Sequence, residues 1–195
     1  MTPSPPIAIG IHGGCGTLSP SLMSEAEWTE ARAQLAAALR VGWSVLSGGG
    51  SSIDAVEAAV VVMENSPHFN AGYGAALNAD GFHELDASIM NGATLAGGAV
   101  AGTQRIRNPI RAARAVMEHG EHVLLVAQGA ERFAESQGLE IVTQDYFSTE
   151  LRRAQLHKAM ALQTTMLDHD AQVAAALAQL ATTRPLDEGR KFGTV

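Results

Sequence analysis

Few side chains in this sequence are spaced as reactive groups usually are, and each such group says little by itself. Gly193-Thr194-Val195 offers a hydroxyl, which is a weak nucleophile at neutral pH unless a base stands beside it. Taken alone, that tripeptide reads as the last residues of the chain. Asn70 precedes Ala71-Gly72, where an asparagine commonly serves a turn by tolerating left-handed backbone. The amides of His12-Gly13-Gly14-Cys15-Gly16 could cradle an oxyanion or phosphate. However, the sequence has no Gly-Lys-Ser/Thr to complete a phosphate loop and no Gly-x-Ser-x-Gly to supply a serine nucleophile. Cys15 in that turn reads as a small apolar residue. His119 and His122 straddle an expected helix end at Gly120 and lack a second ligand pair. Glu84 and Asp86 alternate along an expected strand, a placement that suits structural hydrogen bonding or a solvated face better than an acid pair.

The elements that must position these groups can be read from periodicity and punctuation. Ile7, Ile9 and Ile11 alternate and lead into the first glycine cluster, which predicts a strand. Ser24 and Glu27 have capping-box spacing. They open a helix with Trp28, Ala31, Leu35, Leu39, Gly42 and Leu46 inward, closed by Gly48-Gly49-Gly50. A second helix starts at Ser51 or Ser52, turns Ile53, Val56, Val60 and Met63 inward, and ends near Asn65 ahead of Pro67. Residues 67–74 then form a loop. Glu84 to Met90 and Ala93 to Val100 flank Asn91-Gly92, which predicts an antiparallel hairpin with a two-residue turn. Asn108-Pro109 caps and opens a third helix, with Ile110, Ala113, Val116 and Met117 inward and Gly120 closing it. Val123 to Val126 is a short apolar strand, and helices follow over Gln128 to Gln137 and Ser148 to Leu162. From Thr164 onward an alanine-rich run mixed with threonine, Pro185 and charge suits a mobile linker. Helices layered against a sheet with one clear hairpin make the class α+β.

Composition removes several kinds of partner. The net charge is −7 and the basic residues are scattered, so the phosphate-neutralising stripe of a nucleic-acid binder is missing. No stretch reaches the roughly 20 apolar residues of a membrane span. The single cysteine and the uncharged, proline-rich start fit a reducing cytoplasm rather than secretion.

Seven strings now stand in a telling order: Ile11-His12-Gly13-Gly14-Cys15-Gly16, Phe69-Asn70-Ala71-Gly72-Tyr73-Gly74, His83-Glu84-Leu85-Asp86-Ala87, Ala99-Val100-Ala101-Gly102, Arg107-Asn108-Pro109, Phe147-Ser148-Thr149 and Phe192-Gly193-Thr194-Val195. Together they closely resemble the first half of the plant-type asparaginases, also called isoaspartyl peptidases, over nearly the whole chain. The resemblance implies an αββα four-layer sandwich of the N-terminal nucleophile hydrolase type, of which residues 1–163 form one half. Residues 164–193 would be the linker, and 194–195 would begin a β subunit that supplies the other half. It implies autocleavage between Gly193 and Thr194, freeing a threonine whose amine, with a pKa near 8 in model compounds, takes the proton from its own hydroxyl. Glycine at 193 tolerates the strained backbone needed for that attack. Glycosylasparaginases have Asp in that place.

The same resemblance gives Asn70 a supporting catalytic role, holding the nucleophile or a water through its amide. It assigns a structural sodium ion to main-chain oxygens of Met63, Glu64, Ser66, Phe69, Ala71 and Tyr73. No cofactor is implied for the chemistry itself. The implied reaction is hydrolysis of L-asparagine and of β-aspartyl (isoaspartyl) peptides through a threonyl acyl-enzyme, in an (αβ)2 heterotetramer. The competing expectation is a truncated, non-catalytic paralogue or a scaffolding subunit without the β half.

Overall fold

Helix boundaries follow local chemistry. The computed structural model describes residues 6–13 and 24–162. Its elements are α1 (Glu25–Ser47), α2 (Ser52–Glu64), β1 (Leu85–Met90), β2 (Gly97–Thr103), α3 (Pro109–His119), β3 (Leu124–Val126), α4 (Ala127–Ser136), α5 (Gln144–Phe147) and α6 (Glu150–Leu162). At α2, Ser51 Oγ accepts the Asp54 amide at 3.1 Å while the Asp54 carboxylate accepts the Ser51 amide at 3.3 Å. This reciprocal cap satisfies two donors that the first turn would otherwise leave bare. The helix stops at Asn65, two residues ahead of a proline that disfavours helix before it.

Helices α1 and α2 pack through small residues. Ala38, Ala55 and Ala59 are buried completely or nearly so. A β-carbon at Gly42 would strike the Ile9 side chain and lie 3.0 Å from the Ala55 carbonyl oxygen. Close approach along this seam swings larger neighbours to its rim, so Leu39 and Val56, expected inward, are 37% and 39% exposed. The expected strand at Ile7 to Ile11 does not form. Ile9 instead reaches Gly42 on α1, and no described strand offers this segment a ladder of hydrogen bonds.

The sheet has the order β1-β2-β3, with β1 and β2 antiparallel and β2 and β3 parallel. Met90 pairs with Gly97, so the connection is the six residues Asn91 to Ala96 and not a two-residue turn over Asn91-Gly92. Asn91 Oδ1 accepts the Ala93 amide and Asn91 O accepts the Leu95 amide at 2.7 Å. Leu95 takes φ 62° to close this wider loop. The asparagine side chain captures the turn before a tight hairpin can form. Between Leu85 and Ala87 the register slips. There Asp86 Oδ1 accepts the Gly102 amide at 2.7 Å, while Glu84 meets Gln104. The two acids therefore bond to backbone and to an amide side chain. Two further boundaries differ from expectation: the helix placed at Ser148 begins at Glu150, and the short α5 precedes it.

One face of the sheet is covered by helices. Val100 joins Ile106, Ala112, Val116, Ala130 and Ala134 in one core, and Ile89 joins Ile53, Ile110 and Ala113 in an adjoining one. The other face carries Met90, Leu124 and Val126, which are 63%, 49% and 56% exposed. Helix α3 lies so close over β2 that a β-carbon at Gly98 would overlap the Ala113 carbonyl and the Met117 amide, both backbone atoms that cannot yield. At neighbouring Gly97 the nearest atom is 3.6 Å away. Gly98→Ala should therefore abolish soluble expression or cost more than about 3 kcal/mol, in the range of severe overpacking. Gly97→Ala should stay within about 1 kcal/mol of the parent, with both variants compared by urea unfolding.

Candidate functional site

The loop from Asn65 to Ala76 is held from three directions. At its root, Glu64 is the last residue of α2, only 3% exposed, and its carboxyl serves the start of α3. Oε1 accepts the Ile110 amide at 2.9 Å and Oε2 accepts Asn108 Nδ2 at 3.0 Å. Asn108 occupies the cap position of α3 but makes no capping bond with its own side chain, contrary to the sequence expectation. Pro109 removes one amide from that first turn, and the buried carboxyl takes the next, leaving Asn108 as a donor to Glu64. Burial pushes the Glu64 carboxyl up to about 7, against the two hydrogen bonds, which favour its charged form.

The second hold closes the loop on itself. Tyr73 N donates to Glu64 O at 2.7 Å, and Ser66 N donates to Met63 O at 3.1 Å. Gly72, at φ 55°, lies so near the Glu64 carbonyl that a β-carbon would overlap it. The segment from residue 63 to 73 is thus curled back on the end of α2, with Met63 O and Glu64 O each accepting one of its amides.

The third hold comes from residues 144–152. The Phe147 carbonyl accepts the Gly74 amide at 2.8 Å, and Arg152 Nε donates to the Gly74 carbonyl at 2.6 Å. Tyr146 packs on Tyr73 with ring centroids 6.1 Å apart. The Tyr146 hydroxyl accepts Arg107 Nε at 3.0 Å and reaches Asn65 Oδ1 at 3.4 Å. Arg107 in turn forms a two-point pair with Glu140 at 2.9 and 2.8 Å. Beneath the loop, His83 is 1% exposed and its Nε2 lies 2.9 Å from Ser148 Oγ. Its main-chain N–H and C=O are both bonded by the side-chain amide of Gln144. Desolvation lowers the His83 pKa below the ordinary 6.5, with the Ala75 and Ala76 backbone opposing the shift.

Asn70 is exposed on this braced loop. Its Oδ1 accepts the Ala76 amide at 2.7 Å, which fixes the carboxamide and leaves Nδ2 as the donor directed elsewhere. A β-carbon at Gly13 would lie 3.1 Å from the Phe69 ring, so Gly13 approaches the residue next to Asn70. Gly193 and Thr194 lie outside the described residues, as do Cys15 and the segment from 163 onward. His119 ends α3 at 4.0 Å from Glu118. No group of three or more His, Cys, Asp or Glu among the described residues could hold a metal ion. No described helix is long and apolar enough to cross a membrane. Sequence reading picked out the Asn70 loop but missed the Glu64 carboxyl, the His83 ring, Gln144 and Arg152. Glu64 stood there only as a main-chain ligand, and His83 only as one letter of a motif.

Two outcomes follow from these buried groups. Replacing Glu64 with Ala strands the Ile110 amide and Asn108 without a partner and should cost about 3 kcal/mol. Glu64→Gln, which keeps one acceptor, should cost about 1 kcal/mol by the same measure, urea unfolding. His83 has its folded pKa below its unfolded value, so in acid the unfolded chain binds a proton that the fold refuses. Its contribution to stability is complete above pH 6.5 and is lost as pH falls through that value toward the lower folded pKa. Glu64, with its raised pKa, gains stability over the same fall in pH, so the His83 contribution is read as a difference: between pH 7.5 and 5 the thermal midpoint of His83→Gln should rise relative to that of the parent.

Comparison with known proteins adds the context for this geometry. A sequence profile of the asparaginase family matches residues 5–195. The isoaspartyl peptidase of Escherichia coli (strain K12) is 44% identical over 190 residues, covering 96% of this chain and 54% of that protein. A putative isoaspartyl peptidase/L-asparaginase of Dictyostelium discoideum is 46% identical over 162 residues, 83% of this chain and 47% of its own length. The isoaspartyl peptidase/L-asparaginase of Homo sapiens is 42% identical over 153 residues, 78% of this chain and 48% of its own length. The chain spans about half the length of the curated relatives it matches. A profile match running from the proline-rich start through Thr194, over a loop braced as described, places this chain in the asparaginase family.

Proposed function

We propose that this chain is the α half of an enzyme that hydrolyses L-asparagine and β-aspartyl peptides, with Thr194 as nucleophile. The observation that carries the reading is Asn70. Its oxygen is spent on Ala76, so an N–H donor stands on a rigid, exposed loop where it can hold a threonine oxygen or a water. Support also comes from relatives named isoaspartyl peptidase and L-asparaginase.

In this reading, cleavage after Gly193 frees the α-amine of Thr194. The amine takes the proton of the Thr194 hydroxyl, whose oxygen attacks the side-chain carbonyl of asparagine or the isopeptide carbonyl of a β-aspartyl peptide. Collapse expels ammonia or the peptide's amine, which leaves with the proton, and an acyl ester remains on Thr194. Water then attacks the ester and releases aspartate. Asn70 Nδ2 orients the hydroxyl through both steps. No cofactor takes part. A sodium ion would be held by main-chain oxygens of Met63, Glu64, Ser66, Phe69, Ala71 and Tyr73, where it would stiffen the loop without touching substrate.

The partner is a β half from the same precursor. The uncovered sheet face, with Met90, Leu124 and Val126 outward, is where a second sheet would stack to complete the four-layer sandwich. Two such αβ pairs would form the heterotetramer, in the cytoplasm that a single cysteine suits. The test uses the full-length product of the gene that encodes this chain. Intact mass should show a fragment ending at Gly193, and the processed protein should release aspartate from both substrate types. Thr194→Ala should remain uncut and inactive. Asn70→Ala should process but lose about 100-fold in kcat, the scale of a lost transition-state donor. An uncut, inactive parent protein would instead favour a non-catalytic scaffold.

A further inference from the structure

We propose that His83 is a positioning residue for Asn70, acting through the backbone of residues 74–77 with Ser148 as its anchor. The inference rests on the reading of Asn70 given above. Among the described residues, Asn70 is oriented by the bond from the Ala76 amide to its Oδ1. Whatever fixes Ala76 therefore fixes the direction of Asn70 Nδ2. Ala76 sits between two pinned neighbours. Gly74 is bonded on both sides of its backbone by Phe147 and Arg152, and Leu77 forms an isolated antiparallel bridge with His83. Between them the His83 ring fills the buried space against the backbone of Ala75 and Ala76.

The ring is held in one setting. Nε2 meets Ser148 Oγ at 2.9 Å, and the ring tilts against Phe147 with centroids 6.0 Å apart. Nδ1 is buried without a hydrogen-bond partner. The Ala75 and Ala76 backbone lies against the ring, and Ser148 Oγ, which can donate or accept, pairs with Nε2 in either tautomer. The serine belongs to the segment that also grips Gly74, so one bracket, residues 147–152, sets both ends of the span carrying the Ala76 amide. Removing the ring opens a void beneath Ala75 and Ala76. The amide that aims Asn70 then has room to move, and displacement of about 1 Å at a catalytic group costs on the order of 100-fold in rate.

A double-mutant cycle on the full-length, processed protein tests this. His83→Ala should lower kcat at least about tenfold with KM nearly unchanged, and Ser148→Ala about threefold. In an Asn70→Ala background, either change should cost less than about twofold, because the group being aimed is gone. His83→Gln, which restores a hydrogen-bonding group near the Nε2 position, should recover most of the loss. Additive losses in the Asn70→Ala background would overturn the proposal and leave His83 a general structural residue, as would His83→Gln behaving like His83→Ala. If His83→Ala does not fold, Ser148→Ala carries the same cycle. A parent protein that cleaves neither substrate overturns the functional reading together with this one, whereas an active parent with additive effects overturns this one alone.

Discussion

A helix that begins with proline still has amides in its first turn that need acceptors, and in α3 the acceptor comes from another helix. The Glu64 carboxyl at the end of α2 takes the Ile110 amide and Asn108 Nδ2 together. Two opposed effects meet in that one group. The positive end of the α3 dipole and two donors favour a carboxylate, while near-complete burial favours the neutral acid, and burial prevails far enough to raise its pKa to about 7. Because Glu64 also starts the loop, the same contact that sets α2 against α3 sets where the loop departs. The ion pairs of Arg114 with Asp54 and Glu57 tie the same two helices nearer the other end of α2, and Glu118 on α3 holds the same guanidinium. These pairs are partly exposed and contribute less apiece.

From that root the loop needs few contacts of its own. Its shape is imposed by Gly72 and Gly74, both at positive φ and both too close to other backbone for a side chain. Outside support comes from residues 144–152, about seventy residues further along the chain. Local sequence thus supplies the permissive residues, and distant sequence supplies the grip. Stiffness of this kind suits the proposed role of the loop, to hold one amide in one direction, since a group that must reorient during reaction loses much of its effect.

How much of this was legible in the sequence depended on whether the deciding contact was local. Ser51 and Pro67 bracket α2, and Pro109 and Gly120 bracket α3, because capping and proline sterics act within a few residues, whereas Asn108 was expected to cap with its side chain and does not. The strand expected at Ile7 to Ile11 failed because alternation does not supply a pairing partner. The tight turn at Asn91-Gly92 failed because the Asn91 side chain competed for the Ala93 amide. Asn70 and its loop were singled out through the order of motifs, not through any property of an isolated asparagine. Glu64, His83 and Arg152 were not read as braces, since a buried polar side chain looks in sequence like any surface one until its remote partners are known.

The bare face of the sheet bears on the order of events in the protein's life. Met90, Leu124 and Val126 project from strands whose opposite side is already packed, and edge strands of a small three-stranded sheet invite pairing with other chains. Such a surface is safe only if its cover arrives as it forms. A cover carried on the same polypeptide is present at high effective concentration from the outset. If the proposed β half is that cover, severing the connection afterwards would leave the two parts held by a shared core, with assembly first and scission last.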